Sequence, residues 1–286
     1  MKIFVTGADG QLGSEICRLS KHDTYGTYLS GHGQAGKTRF VRMDVTDAAA
    51  VSETVRKLKP DWVVHCAAMT GVDSCETNKE AAWNVNVDGT KNLVHACRAS
   101  GTAMVYVSTD YVFDGKKGNY KETDVPNPLN YYARTKLAGE MLASTLEKYM
   151  IVRSSVIFSA KENNFVSWVL ESLKAGRTKV VTDQINSPTL AAELAECVLK
   201  LIAKDARGVY HAAGAERISR YDFAKKIAKA FGEDGKLIVP IKTAELNQKA
   251  PRPADSSLNI EKVKRLCIVF SNVDGALRKL KGMKEA

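Results

Sequence analysis

The sequence predicts a doubly wound α/β domain, a parallel sheet with helices on both faces, followed by a smaller C-terminal lobe. Three observations lead there. Short apolar, β-rich runs alternate with amphipathic stretches over the first 155 residues, as βαβ units require. The first run leads straight into glycines at positions 7, 10 and 13. Beyond residue 155 the alternation loosens, and Pro240, Pro251 and Pro253 interrupt what pattern remains.

Ile3-Phe4-Val5 reads as the first strand, and apolar spacing predicts a helix over residues 12–20. Strands follow over 25–29 and 40–43, then a helix over 48–59. Trp62-Val63-Val64-His65 is the next strand and residues 79–99 form one long helix. A strand over 104–107 ends in the hydroxyls Ser108 and Thr109; a polar loop, a helix over 132–146 and a strand over 151–153 complete the domain. In the C-terminal part, helices are expected over 165–175, 190–204 and 220–231 and a strand over 209–211. No period of 20 to 50 residues recurs, which excludes a solenoid.

The stretch Val5-Thr6-Gly7-Ala8-Asp9-Gly10-Gln11-Leu12-Gly13 joins strand, glycine turn and helix. Gly7 permits the sharp turn, Gly10 lets backbone N–H groups close on a pyrophosphate, and Gly13 lets the helix pack tightly on the sheet. Residues 1–155 are therefore expected to bind a dinucleotide, and 156–286 to form a substrate-binding lobe with some segments returning to the sheet. The second strand ends Tyr28-Leu29-Ser30-Gly31-His32, without the acidic residue that would hold a ribose 2′-hydroxyl, and His32, Lys37, Arg39 and Arg42 stand nearby. That pattern favours NADP(H) and leaves NAD(H) possible.

A tyrosine four residues before a lysine shares its helix face, and a nearby ammonium lowers a phenol pKa towards the range of general acid–base work. Ten tyrosines and 28 lysines in 286 residues lead to about one such pair by chance, and two occur, Tyr132-Lys136 and Tyr221-Lys225. Context separates them. Tyr132 opens a helix and follows the strand ending in Ser108 and Thr109, whose hydroxyls can share a substrate oxygen with it. Tyr221-Lys225 has no such strand end before it and reads as an ordinary helix face.

These residues resemble the extended short-chain dehydrogenase/reductase family. The resemblance runs through the glycine loop, Ala67-Ala68-Met69-Thr70 with Val72-Asp73, Asn86, Ser108 to Gly115, Tyr132 to Glu140, Arg153, Asn164-Phe165, Asp183-Gln184, Ser187-Pro188-Thr189 and Arg252-Pro253. It implies a Rossmann fold and NADPH-dependent reduction of the 4-keto group of a dTDP-4-keto-6-deoxy-sugar. In that reading Tyr132 is the general acid, Lys136 anchors the nicotinamide ribose, and Thr109, with Ser108 beside it, orients the carbonyl. Gly7, Asp9, Gly10, Gln11, Leu12, Gly13, Asp44, Val45, Ala67, Ala68 and Met69 line the cofactor, and Thr70, Val72, Asp110, Asn164 and Arg252 face the substrate.

Family dehydratases carry Thr-Asp-Glu where this chain has Thr109-Asp110-Tyr111, which disfavours elimination and leaves reduction or nucleotide-sugar epimerisation. Two positions depart from the pattern. His65-Cys66 replaces an Asn-Ala, and Val156 stands where reductases of this kind carry a tryptophan over the sugar. Some relatives serve as regulatory subunits, notably the β subunit of methionine adenosyltransferase, so a non-catalytic NADP-binding protein is the alternative.

Composition bounds the remaining classes. With 44% hydrophobic and 26% charged residues the chain is globular, and no apolar run approaches the ~20 residues of a membrane span. Met1-Lys2 runs directly into a strand, so a soluble, cytoplasmic protein, monomer or homodimer, is expected. Six scattered cysteines with no C-x-x-C pair read as reduced thiols, and no ligand spacing implies a metal. The net charge of +10 is uneven: residues 1–150 hold 18 basic and 17 acidic side chains, residues 151–286 hold 24 and 15. No basic run interleaves with aromatics, so a nucleotide-sugar diphosphate, and no nucleic acid, is the expected partner of that surplus. The lysines from 278 to 284 read as a solvated helix end.

Overall fold

The structure, a computed structural model, describes residues 1–29 and 37–285; Ser30, Gly31 and His32 of the second strand's expected end lie outside them. Its centre is a seven-stranded parallel sheet of β1 (Lys2–Thr6), β2 (Asp23–Tyr28), β3 (Arg39–Arg42), β4 (Trp62–His65), β5 (Ala103–Thr109), β6 (Tyr149–Ser154) and β11 (Gly208–His211). The order is β11-β6-β5-β4-β1-β2-β3. Chain direction across the sheet reverses between β1 and β4, which opens a crevice at the carboxyl ends of those strands. The register sets Thr6 beside His65, and Thr109 beside Ser154, so four side chains of the site leave the sheet at one edge.

Apolar faces dictate the layers. On one side of the sheet α1 (Gln11–Leu19) and α8 (Ala191–Ala203) cover Ile3, Val5, Val64, Val105 and Val152 with Leu12, Ile16, Leu194, Val198 and Leu201. On the other, α2 (Ala48–Leu58), α5 (Gly89–Ser100) and α6 (Tyr131–Ala143) cover Phe4, Val63, Met104 and Tyr106 with Val51, Val55, Leu93, Val94 and Ala143. α8 and β11 come from the C-terminal part, and one core therefore spans both halves of the chain.

The single helix expected over 79–99 runs over 79–100 as three contiguous pieces, α4 (Lys79–Trp83), a π turn (Asn84–Asp88) and α5, and a short α3 (Val72–Thr77) precedes it. Asn78 separates α3 from α4 and caps α4, its side chain accepting from the Ala81 amide. In the π turn the Asn86 carbonyl accepts the Thr90 hydroxyl at 2.6 Å. Such wide turns recur where a helix must aim a side chain.

A second core holds the C-terminal lobe, with Phe158, Val169, Leu173, Leu190, Phe223 and Ile227 at its centre. Its strands, β7 (Ile157–Phe158) on β10 (Thr189–Leu190), β8 (Thr178–Val181) on β13 (Ile238–Ile241) and β9 (Ile185–Asn186) on β12 (Ile218–Ser219), are too short to show periodicity in sequence. Helices α7 (Phe165–Ala175) and α9 (Arg220–Phe231) match their expected spans; a short α10 (Glu261–Lys264) precedes the last helix. The lysine-rich tail is α11 (Val273–Glu285), and it is docked: Leu277 and Leu280 are buried in the lobe while Lys279 reaches Glu193 at 2.7 Å. Among the described residues no helix is long and apolar enough to cross a membrane.

Candidate active site

A cleft of about 760 Å³ lies at the carboxyl edge of the sheet. Gly7, Asp9, Gly10, Gln11, Leu12 and Gly13 form one wall, with Asp44 and Val45 at one end and Ala67, Ala68 and Thr70 opposite. Gly7 holds φ +62°, and a Cβ there would stand 2.7 Å from the Ala67 nitrogen; one at Gly13 would stand 2.2 Å from the Gly7 carbonyl oxygen. Gly10 caps α1 with no side-chain hydrogen bond, which leaves the positive helix end open to an anion. These residues fit a dinucleotide with its diphosphate over the start of α1.

At the other end Thr109 and Tyr132 meet. Asn130 starts α6 by accepting the Ala133 amide at 2.9 Å, and one turn separates Tyr132 from Lys136. Burial pushes the Tyr132 phenol above its ordinary value; the Thr109 hydroxyl beside it pulls the other way. Lys136 therefore does not set the phenol's titration in the expected manner. Desolvation outweighs a lysine whose own ammonium sits over the Tyr106 ring, 4.2 Å from the centroid, and is lowered by burial to about 8. The phenol is held protonated at neutral pH, the form a general acid needs. Ser108 also borders the cleft, but its hydroxyl donates to Glu140 Oε1 at 2.5 Å, and Glu140 takes two bonds from the buried Arg153 at 2.9 and 2.7 Å. Of the two hydroxyls, Thr109 is the one beside the phenol.

The wall from Ala67 to Met69 is held by side chains behind it. Thr6 Oγ1 accepts the Ala67 amide at 3.3 Å and donates to His65 Nδ1 at 2.7 Å. His65 Nε2 then meets Thr90 Oγ1 at 3.1 Å, whose hydrogen goes to the Asn86 carbonyl, so the imidazole is neutral with its proton on Nε2. Burial, with Lys136 adding to it, lowers its pKa to about 3. Met69 does not line the cleft itself; Asn86 holds its peptide from behind. Cys66, on the same wall, is kept a thiol by burial, which pushes it up to about 12.

The expected substrate residues divide. Thr70 borders the cleft. Val72 begins α3 outside it, next to Asp73, which pairs with Arg252 at 2.7 and 3.0 Å. Arg252 thus arrives with its charge already matched. Asn164 caps α7, accepting the Val166 and Ser167 amides at 3.0 and 3.3 Å, and Asn163 rather than Asn164 reaches the cleft. Asp110 is 2% exposed and takes hydrogen bonds from Ser155 at 2.8 Å and from Ser256 and Thr109, so it stands behind the wall. Burial raises its pKa. The second tyrosine-lysine pair lies in α9, with Lys225 donating to the Gly235 carbonyl at 3.0 Å.

Two cleft residues had no sequence signal of their own. Ser154 is 3% exposed and its hydroxyl has no protein partner; its place beside Thr109 follows from strand pairing alone. Lys161 comes from the loop between β7 and α7, and it is the sole cation from the C-terminal part on the cleft wall among the described residues. The basic surplus of residues 151–286 is therefore not gathered in the cleft. Arg39 is paired with Asp23 and lies 4.2 Å over the Tyr25 ring. Among the described residues no group of three or more His, Cys, Asp or Glu side chains could hold a metal.

Residues 1–279 match the RmlD substrate binding domain model. The chain belongs to this family. Among RmlD-family relatives, the dTDP-4-dehydrorhamnose reductase of Aggregatibacter actinomycetemcomitans is 34% identical, over 92% of this chain and 92% of that protein. The methionine adenosyltransferase 2 subunit beta of Xenopus tropicalis is 31% identical, over 93% and 83%. The crystal structure of dTDP-4-dehydrorhamnose reductase from Bacillus anthracis in complex with NADP superposes with a TM-score of 0.89 at 30% identity, covering 99% of both chains.

Proposed function

We infer that the protein is an NADPH-dependent reductase of a dTDP-4-keto-6-deoxy-sugar, converting dTDP-4-dehydrorhamnose to dTDP-rhamnose. The observation that carries this reading is the meeting of a protonated Tyr132, the Thr109 hydroxyl and Lys136 at one end of a dinucleotide-sized cleft. The two family members named as reductases support it.

In this reading the glycine loop and the open end of α1 bind the cofactor's diphosphate, and bound NADPH supplies the hydride. With substrate bound, Thr109 turns its one hydroxyl hydrogen from Asp110 to the 4-keto oxygen, which then lies between it and the Tyr132 phenol. As negative charge grows on that oxygen, Tyr132 transfers its phenolic proton to it. The Lys136 ammonium, one helical turn away, stabilises the phenolate left behind and anchors the nicotinamide ribose. In the empty cleft Asp110, fixed by Ser155 and Ser256, accepts the Thr109 hydrogen and keeps Thr109 in place from behind. NADP(H) is the preferred cofactor and NAD(H) the second, because the second strand ends in Tyr28-Leu29 without an acidic residue to hold a ribose 2′-hydroxyl.

Purified protein given NADPH and dTDP-4-dehydrorhamnose should lose reduced-nicotinamide absorbance and form dTDP-rhamnose. Tyr132→Phe should lower kcat about 10²- to 10⁴-fold with NADPH affinity nearly unchanged. A second reading, a regulatory subunit that binds NADP without turnover, draws on the similarity to the Xenopus tropicalis subunit. Tight NADPH binding with no consumption of any nucleotide-sugar ketone would select it, and C4 inversion without net consumption would select an epimerase.

A further inference from the structure

The loop from Ser159 to Asn164 leaves the C-terminal lobe and crosses the start of α1. Ser159 Oγ donates to Gln11 Oε1, Gln11 Nε2 donates to the Glu162 carbonyl at 2.7 Å, and Lys161 Nζ donates to the Asp9 carbonyl at 2.7 Å. Asn164 Nδ2 ties the loop to itself through the Lys161 carbonyl at 2.5 Å. The lysine is thus set on the glycine turn by residues more than 140 positions away in sequence.

Its charge has the wrong sign for that place. A helix start is the positive end of the helix dipole and favours anions, so an ammonium beside it is repelled. α1 has no acidic residue in its first turn, and among the described residues no carboxylate lies within ion-pair distance of Lys161, although Asp9 and Glu162 border the same rim. The ammonium is held by a neutral carbonyl rather than a carboxylate, so helix start and lysine together present positive charge to one point of the cleft wall. A dinucleotide brings a diphosphate to that point.

We propose that Lys161 is a ligand of the cofactor's diphosphate, delivered by the C-terminal lobe: on binding, its ammonium leaves the Asp9 carbonyl for a phosphate oxygen while Gln11 keeps the loop fastened. This rests on the cofactor reading above. Because the diphosphate is common to NADPH and NADH, Lys161 adds affinity for both and does not discriminate between them.

The test is titration of wild type, Lys161→Ala and Lys161→Arg with NADPH, NADH and thymidine diphosphate, followed by reduced-nicotinamide fluorescence or calorimetry over a salt series. Lys161→Ala should raise Kd for NADPH and NADH by the same factor, about 5- to 20-fold, and flatten the salt dependence; Lys161→Arg should retain most of the affinity. Unchanged Kd for both would overturn the proposal. So would a loss confined to NADPH, which places the lysine at the 2′-phosphate, or one confined to thymidine diphosphate, which assigns it to the sugar nucleotide. Wild type that binds neither dinucleotide would instead sink the cofactor reading itself. Lys161 is exposed, so Ala is expected to fold, and a melting curve matching wild type checks it.

Discussion

The side-chain amide of Asn86 is bonded to both ends of Met69, accepting its N–H at 2.8 Å and donating to its carbonyl at 3.0 Å. Its second hydrogen goes to Thr135 Oγ1 at 2.9 Å, and Thr135 donates to the Tyr132 carbonyl at 2.7 Å. One buried amide therefore fixes the cofactor wall relative to the helix that carries the candidate acid. Asn86→Ala leaves the Met69 N–H and carbonyl without those partners and takes one donor from Thr135, at a cost of about 1–3 kcal/mol. Expected is a lower melting temperature with a fall in kcat larger than the change in NADPH Kd; equal effects on all three would mean the amide only supports the fold.

The two hydroxyls at the end of β5 should behave differently. Thr109→Val removes the group beside Tyr132 and should lower kcat about 10- to 100-fold, beyond what its stability loss of about 1–3 kcal/mol from the unpaired Asp110 and Tyr111 amide explains. Ser108→Ala removes the donor to Glu140 in a buried ion pair, and its main effect should be a stability loss of about 1–2 kcal/mol in urea melts. The reverse ranking in steady-state kinetics would reassign the orienting role to Ser108.

Lys136 gives a pH limb. Its value in the empty cleft is about 8, below the ordinary 10.5, so the ammonium is present at neutral pH and is lost as pH rises through about 8. A profile of kcat/KM, which reports the free enzyme, should fall above that pH, and Lys136→Met should be slow and lack the limb. A flat profile to pH 9.5 in wild type would contradict the role.

Stability should depend on pH through His65 and His211, which burial lowers from 6.5 to about 3, Arg153 adding to the effect at His211. The unfolded chain takes up protons below pH 6.5 that the native imidazoles refuse, so stability is full above 6.5 and is lost as pH falls towards 3. Each contributes a slope of up to about 1.4 kcal/mol per pH unit. Urea midpoints measured at pH 7, 6 and 5 should decline, and His65→Asn should make the decline shallower; identical midpoints would show that the native histidines titrate freely.

Gly13→Ala tests the glycine loop. A Cβ 2.2 Å from the Gly7 carbonyl oxygen forces the loop and helix apart, and the variant should be less stable by about 1–3 kcal/mol and bind NADPH weakly. Wild-type affinity would mean that the turn tolerates a wider opening than its packing indicates.

Where periodicity was strong, sequence and structure agree closely: α7 and α9 occupy their expected spans, and β4 runs over Trp62–His65 as read. The long helix over 79–99 was found in its expected span, but the π turn within it was not foreseen, because helical periodicity is nearly blind to one inserted residue. Two-residue strands such as β7 and β10 carry no period at all. At the site, spacing chose Tyr132-Lys136 over Tyr221-Lys225 because a strand ending in hydroxyls stood before it. The resemblance named Asp110 and Asn164 as substrate residues, whereas the structure has them bonded behind the cleft wall, a distinction that sequence order does not carry.

By itself the sequence determined the alternation of strands and helices, the glycine turn, and which tyrosine shares a helix face with a lysine before an active strand end. Those are properties of neighbours within about four residues or of apolar period, where local geometry decides contact. Tertiary structure alone decided that burial, rather than Lys136, governs the Tyr132 phenol, that Ser108 is committed to Glu140, and that Arg252 is matched by Asp73. It also brought Lys161 to Asp9 across 152 positions. Desolvation and long-range pairing depend on what surrounds a group in space, and the linear order of residues does not record that.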